Sequence, residues 1–218
     1  MICYYFYCEF SFIHKMNHFV PEQFYHIYNH SNGSDDLFRN DNNFNFFLLQ
    51  WAKYILPIAD AFAYCLMPNH FHFLIAIKDN EELKKAFSTL KIDWEGSEDQ
   101  SNLISKQFSN LFNSYAKAYN KMYDRRGSLF NRPFKSKVIN SNHYLTKVIH
   151  YIHHNPVHHG FTDTIEAWPY SSYHALISEK NTQLKRDYIH SWFGDIAVFK
   201  DLHKAPLKKL EVLESLYT

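Results

Sequence analysis

Polar and apolar residues alternate from Gln23 to Asn29, in a run rich in aromatic and β-branched side chains that predicts a strand. His30 to Asp36 is polar, contains Gly33 and reads as a loop. Over residues 40–56 the pattern changes period. Phe44, Phe47, Leu48, Trp51, Ala52 and Ile55 recur at helical spacing, and Pro57 marks the break. Ile58 to Leu66 and His70 to Ile77 are near-continuous apolar runs of strand length. The short link Met67–Asn69 makes them antiparallel neighbours. Asp79 to Gly96 predicts a charged helix followed by a loop, and a longer helix over residues 101–123 ends at Arg125-Arg126-Gly127. Phe134 to Ile139 predicts a fourth strand. Ser141 or Asn142 can cap a last helix that runs to Asn155 and stops at Pro156.

The order is strand, helix, strand, strand, helix, strand, helix. It implies an α+β domain, an antiparallel sheet with helices packed mainly on one face. A Trp/Tyr-rich segment follows residue 160, and residues 179–218 form a polar C-terminal tail expected to be partly helical. Residues 1–21 read as an N-terminal extension. Residues 1–15 are aromatic and apolar but lack the basic start and small-residue cleavage site of a signal peptide, so Met16 is a candidate translation start.

The chain has 218 residues, 46% of them hydrophobic and 18% aromatic, enough for a sizeable single core. Its formal net charge of +1 excludes a chain-wide basic field, so any nucleic-acid contact has to be local. Three cysteines without metal-like spacing point to a reducing, cytoplasmic compartment. No apolar run reaches the roughly 18 residues of a membrane span.

Candidate chemistry starts at Met67-Pro68-Asn69-His70-Phe71-His72-Phe73. In a strand, residues i and i+2 share a face, so His70 and His72 can reach one metal ion while Phe71 and Phe73 point into a core. The second constellation is His150-Tyr151-Ile152-His153-His154-Asn155. Tyr151 and Asn155 are four apart on a predicted helix and share a face. A phenol there can attack phosphorus, and a carboxamide oxygen one turn later can complete a site for Mg²⁺ or Mn²⁺. His154 is the rival third ligand. Arg125, Arg126, Arg132, Lys135 and Lys137, interleaved with Phe130 and Phe134, form a candidate DNA-binding patch.

With these residues in place the chain resembles the Y1 HUH single-strand DNA transposases, the group of IS200-like and REP-associated tyrosine transposases. Five segments carry the resemblance in order: Phe24 to His30, Leu66 to Ile75, Gly127 to Ser136, Tyr151 to Gly160, and Trp168-Pro169-Tyr170-Ser171-Ser172-Tyr173. It covers roughly residues 22–175 and marks 22–178 as a catalytic domain. The resemblance implies a ferredoxin-like fold and a divalent metal, Mg²⁺ or Mn²⁺, on His70, His72 and Asn155. It implies Tyr151 as the nucleophile and a 5′-phosphotyrosine intermediate. Single-stranded DNA with hairpins is the implied partner, cut and rejoined by a bacterial, nucleoid-associated protein acting as a monomer or a homodimer. Two alternatives differ in chemistry: a hairpin-binding protein of the same fold with dispensable catalysis, and a His-x-His hydrolase using a metal-bound water.

Overall fold

The computed structural model describes residues 18–97 and 99–205. The candidate start at Met16 lies outside the described residues. Four strands form one antiparallel sheet: β1 (Phe24–His30), β2 (Ala59–Met67), β3 (His70–Ile77) and β4 (Lys135–Ile139), in the order β2-β3-β1-β4. Between them run α1 (Asp41–Tyr54), α2 (Asn80–Thr89) and α3 (Gln100–Met122). This is the ferredoxin-like α+β arrangement, with every neighbouring pair antiparallel. The boundaries lie within one or two residues of those expected.

Strand alternation divides the molecule into two halves. On β3, Phe71, Phe73, Ile75 and Ile77 enter a core built with α1, α2 and α3. Trp51 of α1 stacks on Phe73 with ring centroids 3.6 Å apart, and Phe47 packs at 5.2 Å from Phe71. The opposite face of β3 presents His70 and His72, then Leu74, to a second core. That core is closed by α4 (Asn142–His158), α5 (Tyr173–Ile177), α6 (Arg186–Phe193) and α7 (Ile196–Lys204). The expected placing of helices mainly on one face therefore holds for α1–α3, while α4–α7 cover the other. The physical reason is that Leu74 and Ala76 continue the histidine face as apolar surface, which must be buried too.

One detail differs from the sequence expectation. Pro156 does not stop α4; it lies inside its last turn. A proline there lacks only one helical donor, and the helix ends instead near Gly160, which takes the left-handed conformation at φ 73°. The segment after residue 178 forms α6 and α7 and contributes Ile189, Phe193 and Phe199 to the second core, so it packs on the domain. No helix among the described residues is long and apolar enough to cross a membrane.

Candidate active site

The site face is a ladder of rings on β1 and β3, flanked by two lysines of β4. His70 of β3 is paired with His30 of β1, and their rings stack at 4.7 Å. His72 is paired with Tyr28, which is paired in turn with Lys135 of β4. His26 lies diagonally beside His72 and opposite Lys137. Directly paired residues share a face, so Lys135 and Lys137 stand on the same side of the sheet as the two candidate ligands.

Helix α4 crosses this ladder. Tyr151, Asn155 and His159 repeat every four residues and so form one stripe along it. The Tyr151 ring meets His72 edge-on at 5.5 Å and His26 at 6.1 Å. One turn on, Asn155 is completely buried, and its carboxamide lies close enough to His70 to favour that ring's charged form. After another turn, His159 packs edge-on against His70 at 4.6 Å. The structure thus brings together four of the predicted residues: His70, His72, Tyr151 and Asn155.

Hydrogen bonding leaves two ligand atoms without partners. His70 Nδ1 is 2.7 Å from Asn69 Oδ1; an amide oxygen only accepts, so Nδ1 carries the proton and Nε2 keeps its lone pair. Asn155 Nδ2 donates to the Tyr151 carbonyl at 3.2 Å, which leaves Oδ1 facing the site. His70 Nε2 and Asn155 Oδ1 are both buried and have no hydrogen-bond partner. Buried polar groups are normally paired, so two such orphans on neighbouring residues call for an explanation. A divalent cation supplies one, because neutral imidazole nitrogen and carboxamide oxygen are ligands for Mg²⁺ or Mn²⁺. Among the described residues no cluster of three or more His, Cys, Asp or Glu could hold a metal ion, so a third protein ligand here has to be of another type, as Asn155 is.

Electrostatics keep the imidazoles neutral. Burial first, then the His30 and His159 rings, lowers the His70 pKa to about 3. Burial, with Lys137 opposite, lowers His26 to about 3. His72 is held well below its usual range by burial and by His26 and His70. His26 Nε2 and His72 Nδ1 are 2.9 Å apart and share one proton. With that proton on His72, its Nε2 is left as a lone pair for a ligand role.

The remaining predicted residues are placed as follows. His154 turns away from the sheet: its Nδ1 contacts the His150 carbonyl at 3.1 Å, and its ring lies 4.0 Å from that of His150. Arg125 is engaged in folding. It donates to Asp35 at 2.8 Å and to the Ser128 carbonyl at 2.9 Å, clamping the loop that follows α3. Arg126, Arg132 and Lys135 are exposed and Lys137 is half-buried. His26, His30 and His159 line the same face, although they are not among the predicted site residues. Strand alternation from His26 to His30, and the eight-residue step from Tyr151 to His159, are the signals that mark them.

One consequence is measurable in acid. His26, His70 and His203 have pKa values near 3, and His150 near 4, all far below the unfolded value of about 6.5. The unfolded chain therefore takes up more protons than the folded one from about pH 6.5 downward. Stability is fully present above that pH and is lost as pH falls toward the folded values. Each such ring contributes a slope of about 1.4 kcal/mol per pH unit in that window. Thermal melts of the metal-free protein are expected to fall steeply from pH 6 to 5. A melting temperature constant down to pH 4 would contradict these burials.

No protein-family profile matches the chain. Among curated proteins, one from Haemophilus influenzae named as a REP-associated tyrosine transposase is 26% identical over 114 residues. The match takes in 51% of this chain and spans 57% of that protein's length. Among solved structures, that of a REP-associated tyrosine transposase bound to a REP hairpin superposes with a TM-score of 0.53 at 15% identity, over 75% of this chain and 84% of the other. Beside the resemblance carried by the five motifs there is thus an independent sequence match and a shared fold: the chain is similar to proteins named as REP-associated tyrosine transposases.

Proposed function

We propose that this protein cuts and rejoins single-stranded DNA next to a hairpin, with Tyr151 as the nucleophile. The Tyr151 oxygen forms a bond to phosphorus as the bond to the 3′-oxygen breaks. The phenol gives up its proton, the departing 3′-oxygen gains one, and the 5′-phosphate remains on the tyrosine. That phosphodiester is retained, so a second 3′-hydroxyl can reverse the step and join a new strand. His70, His72 and Asn155 would hold a divalent cation, which when bound supplies charge stabilisation to the phosphate. Lys135 and Lys137 on β4, with the exposed Arg126 and Arg132 of the preceding loop, would hold the phosphate backbone. Arg125 contributes by keeping the loop in shape. A DNA substrate places the protein in the bacterial cytoplasm, beside the nucleoid.

The observation that carries this reading is the pair of orphaned buried atoms, His70 Nε2 and Asn155 Oδ1, on the face against which the Tyr151 ring packs. The test is a denaturing gel of the protein with end-labelled hairpin oligonucleotides from its own genomic flanks. With Mg²⁺ or Mn²⁺ a covalent band carrying the DNA 3′ of the cut is expected, and chelation should remove it. Tight hairpin binding without such a band, for every flank and either metal, would leave a DNA-binding protein that does not cleave.

A further inference from the structure

Helix α4 presents two working faces. Tyr151 and Asn155 face the sheet, and His153, two residues on from Tyr151, is turned about 200° around the helix axis. On that far side His153 is fully buried between two elements. Its Nε2 lies 2.8 Å from Ser172 Oγ, and its Nδ1 lies 2.8 Å from His203 Nε2 on α7. Ser172 Oγ accepts from the Tyr64 backbone N–H of β2 at 2.8 Å, and His203 Nδ1 lies 2.7 Å from the Phe199 carbonyl.

The direction of every bond in this chain follows from its two ends. A carbonyl oxygen can only accept, so His203 Nδ1 carries a proton and donates to Phe199. Burial keeps both rings neutral, so His203 Nε2 is an acceptor and His153 Nδ1 donates to it. His153 Nε2 is then an acceptor, and the Ser172 hydroxyl donates to it. The line runs one way, from the Tyr64 N–H through Ser172, His153 and His203 to Phe199, with no donor or acceptor left over. It links the sheet, the α4 helix and the C-terminal α7.

The turn it grips lacks one helical hydrogen bond. Pro156 has no N–H, so the Ile152 carbonyl loses its helical partner in the turn that carries Asn155. We infer that His153 and His203 are positioning residues. Through this one-way hydrogen-bond chain, α7 fixes the rotation of α4, and with it the placement of Tyr151 and Asn155 over the histidine face. The inference rests on the tyrosine-nucleophile reading above. It gives the segment after residue 178 a part in the reaction without any contact with DNA.

The informative variant replaces both rings at once. Removing one histidine strands its partner's buried nitrogen, whereas exchanging both for apolar rings of similar shape leaves none stranded between them. The H153F/H203F protein is expected to melt within a few degrees of wild type and to bind the hairpin within about twofold. Its single-turnover rate of covalent adduct formation is expected to fall about tenfold to a hundredfold, the cost of a small misplacement of a reacting group. A folded double variant that forms the adduct at the wild-type rate overturns the inference alone. A wild type that forms no adduct overturns the nucleophile assignment as well. Nitrogen-15 NMR of the wild-type imidazoles supplies a test independent of any variant's folding. Both rings should carry the proton on Nδ1, and a proton on Nε2 of either overturns the chain.

Discussion

Tyr151→Phe is expected to abolish the covalent protein–DNA adduct while leaving the protein folded and able to bind a hairpin. The substitution keeps the ring that packs edge-on against His72 and His26, and the side chain is almost fully buried. Only the oxygen that would join phosphorus is removed. A loss of adduct with an unchanged hairpin affinity and an unchanged melt would therefore assign the defect to chemistry. The competing His-x-His hydrolase reading makes the opposite prediction: water would be its nucleophile, and the phenylalanine variant would cut normally. Metal-dependent cleavage that survives in Tyr151→Phe, measured by single-turnover gels on 5′- and 3′-labelled oligonucleotides, would sink the nucleophile assignment.

Asn155→Leu is expected to move stability and activity in opposite directions. In the metal-free protein the buried Asn155 Oδ1 has no partner, and such an atom costs about 1–3 kcal/mol. Leucine has nearly the same shape and no orphan. The bond lost with it, from Nδ2 to the Tyr151 carbonyl, goes to an acceptor that the α4 backbone also uses. In the presence of a chelator the variant should melt at or above the wild-type temperature. In Mn²⁺ the order should reverse. The wild type gains stability by mass action, about 2.7 kcal/mol at a hundred times the dissociation constant, and the variant gains much less. Cleavage should fall by at least about a hundredfold, since disturbing an outer partner of a metal ligand already costs about 10–100-fold. A wild-type melt indifferent to Mn²⁺ would remove the metal site, and a variant that responds to Mn²⁺ as the wild type does would remove Asn155 from it.

The parts of this site that were legible in the sequence are those set by local geometry. His70 and His72 are two apart on a strand, and Tyr151 and Asn155 four apart on a helix, so each pair shares a face whatever the rest of the chain does. What depends on distant partners was not legible. Arg125 reads as a free cation in a basic turn, but its partner Asp35 lies 90 residues away in sequence. On paper His154 rivals Asn155 as the third ligand. Only the packing of α7 against the far side of α4 shows that His154 turns from the sheet. The fold was legible through its strands and long helices. The short helices α6 and α7 have no individual boundaries legible in the sequence, because helices of eight and nine residues are marginal alone and gain their stability from Ile189, Phe193 and Phe199 docking into the second core. Pro156 reads as a helix stop in the sequence, although the last turn of a helix tolerates the loss of one donor.

The alternation of β3 has a consequence for how such proteins can change over time. One row, Phe71, Phe73, Ile75 and Ile77, locks into α1–α3, while His70 and His72, the proposed metal ligands, lie on the opposite face. Substitutions at the histidines leave the aromatic half of the molecule, including the Trp51–Phe73 stack, untouched. A descendant could thus lose the ability to cut in one step and still present an intact basic sheet edge to DNA.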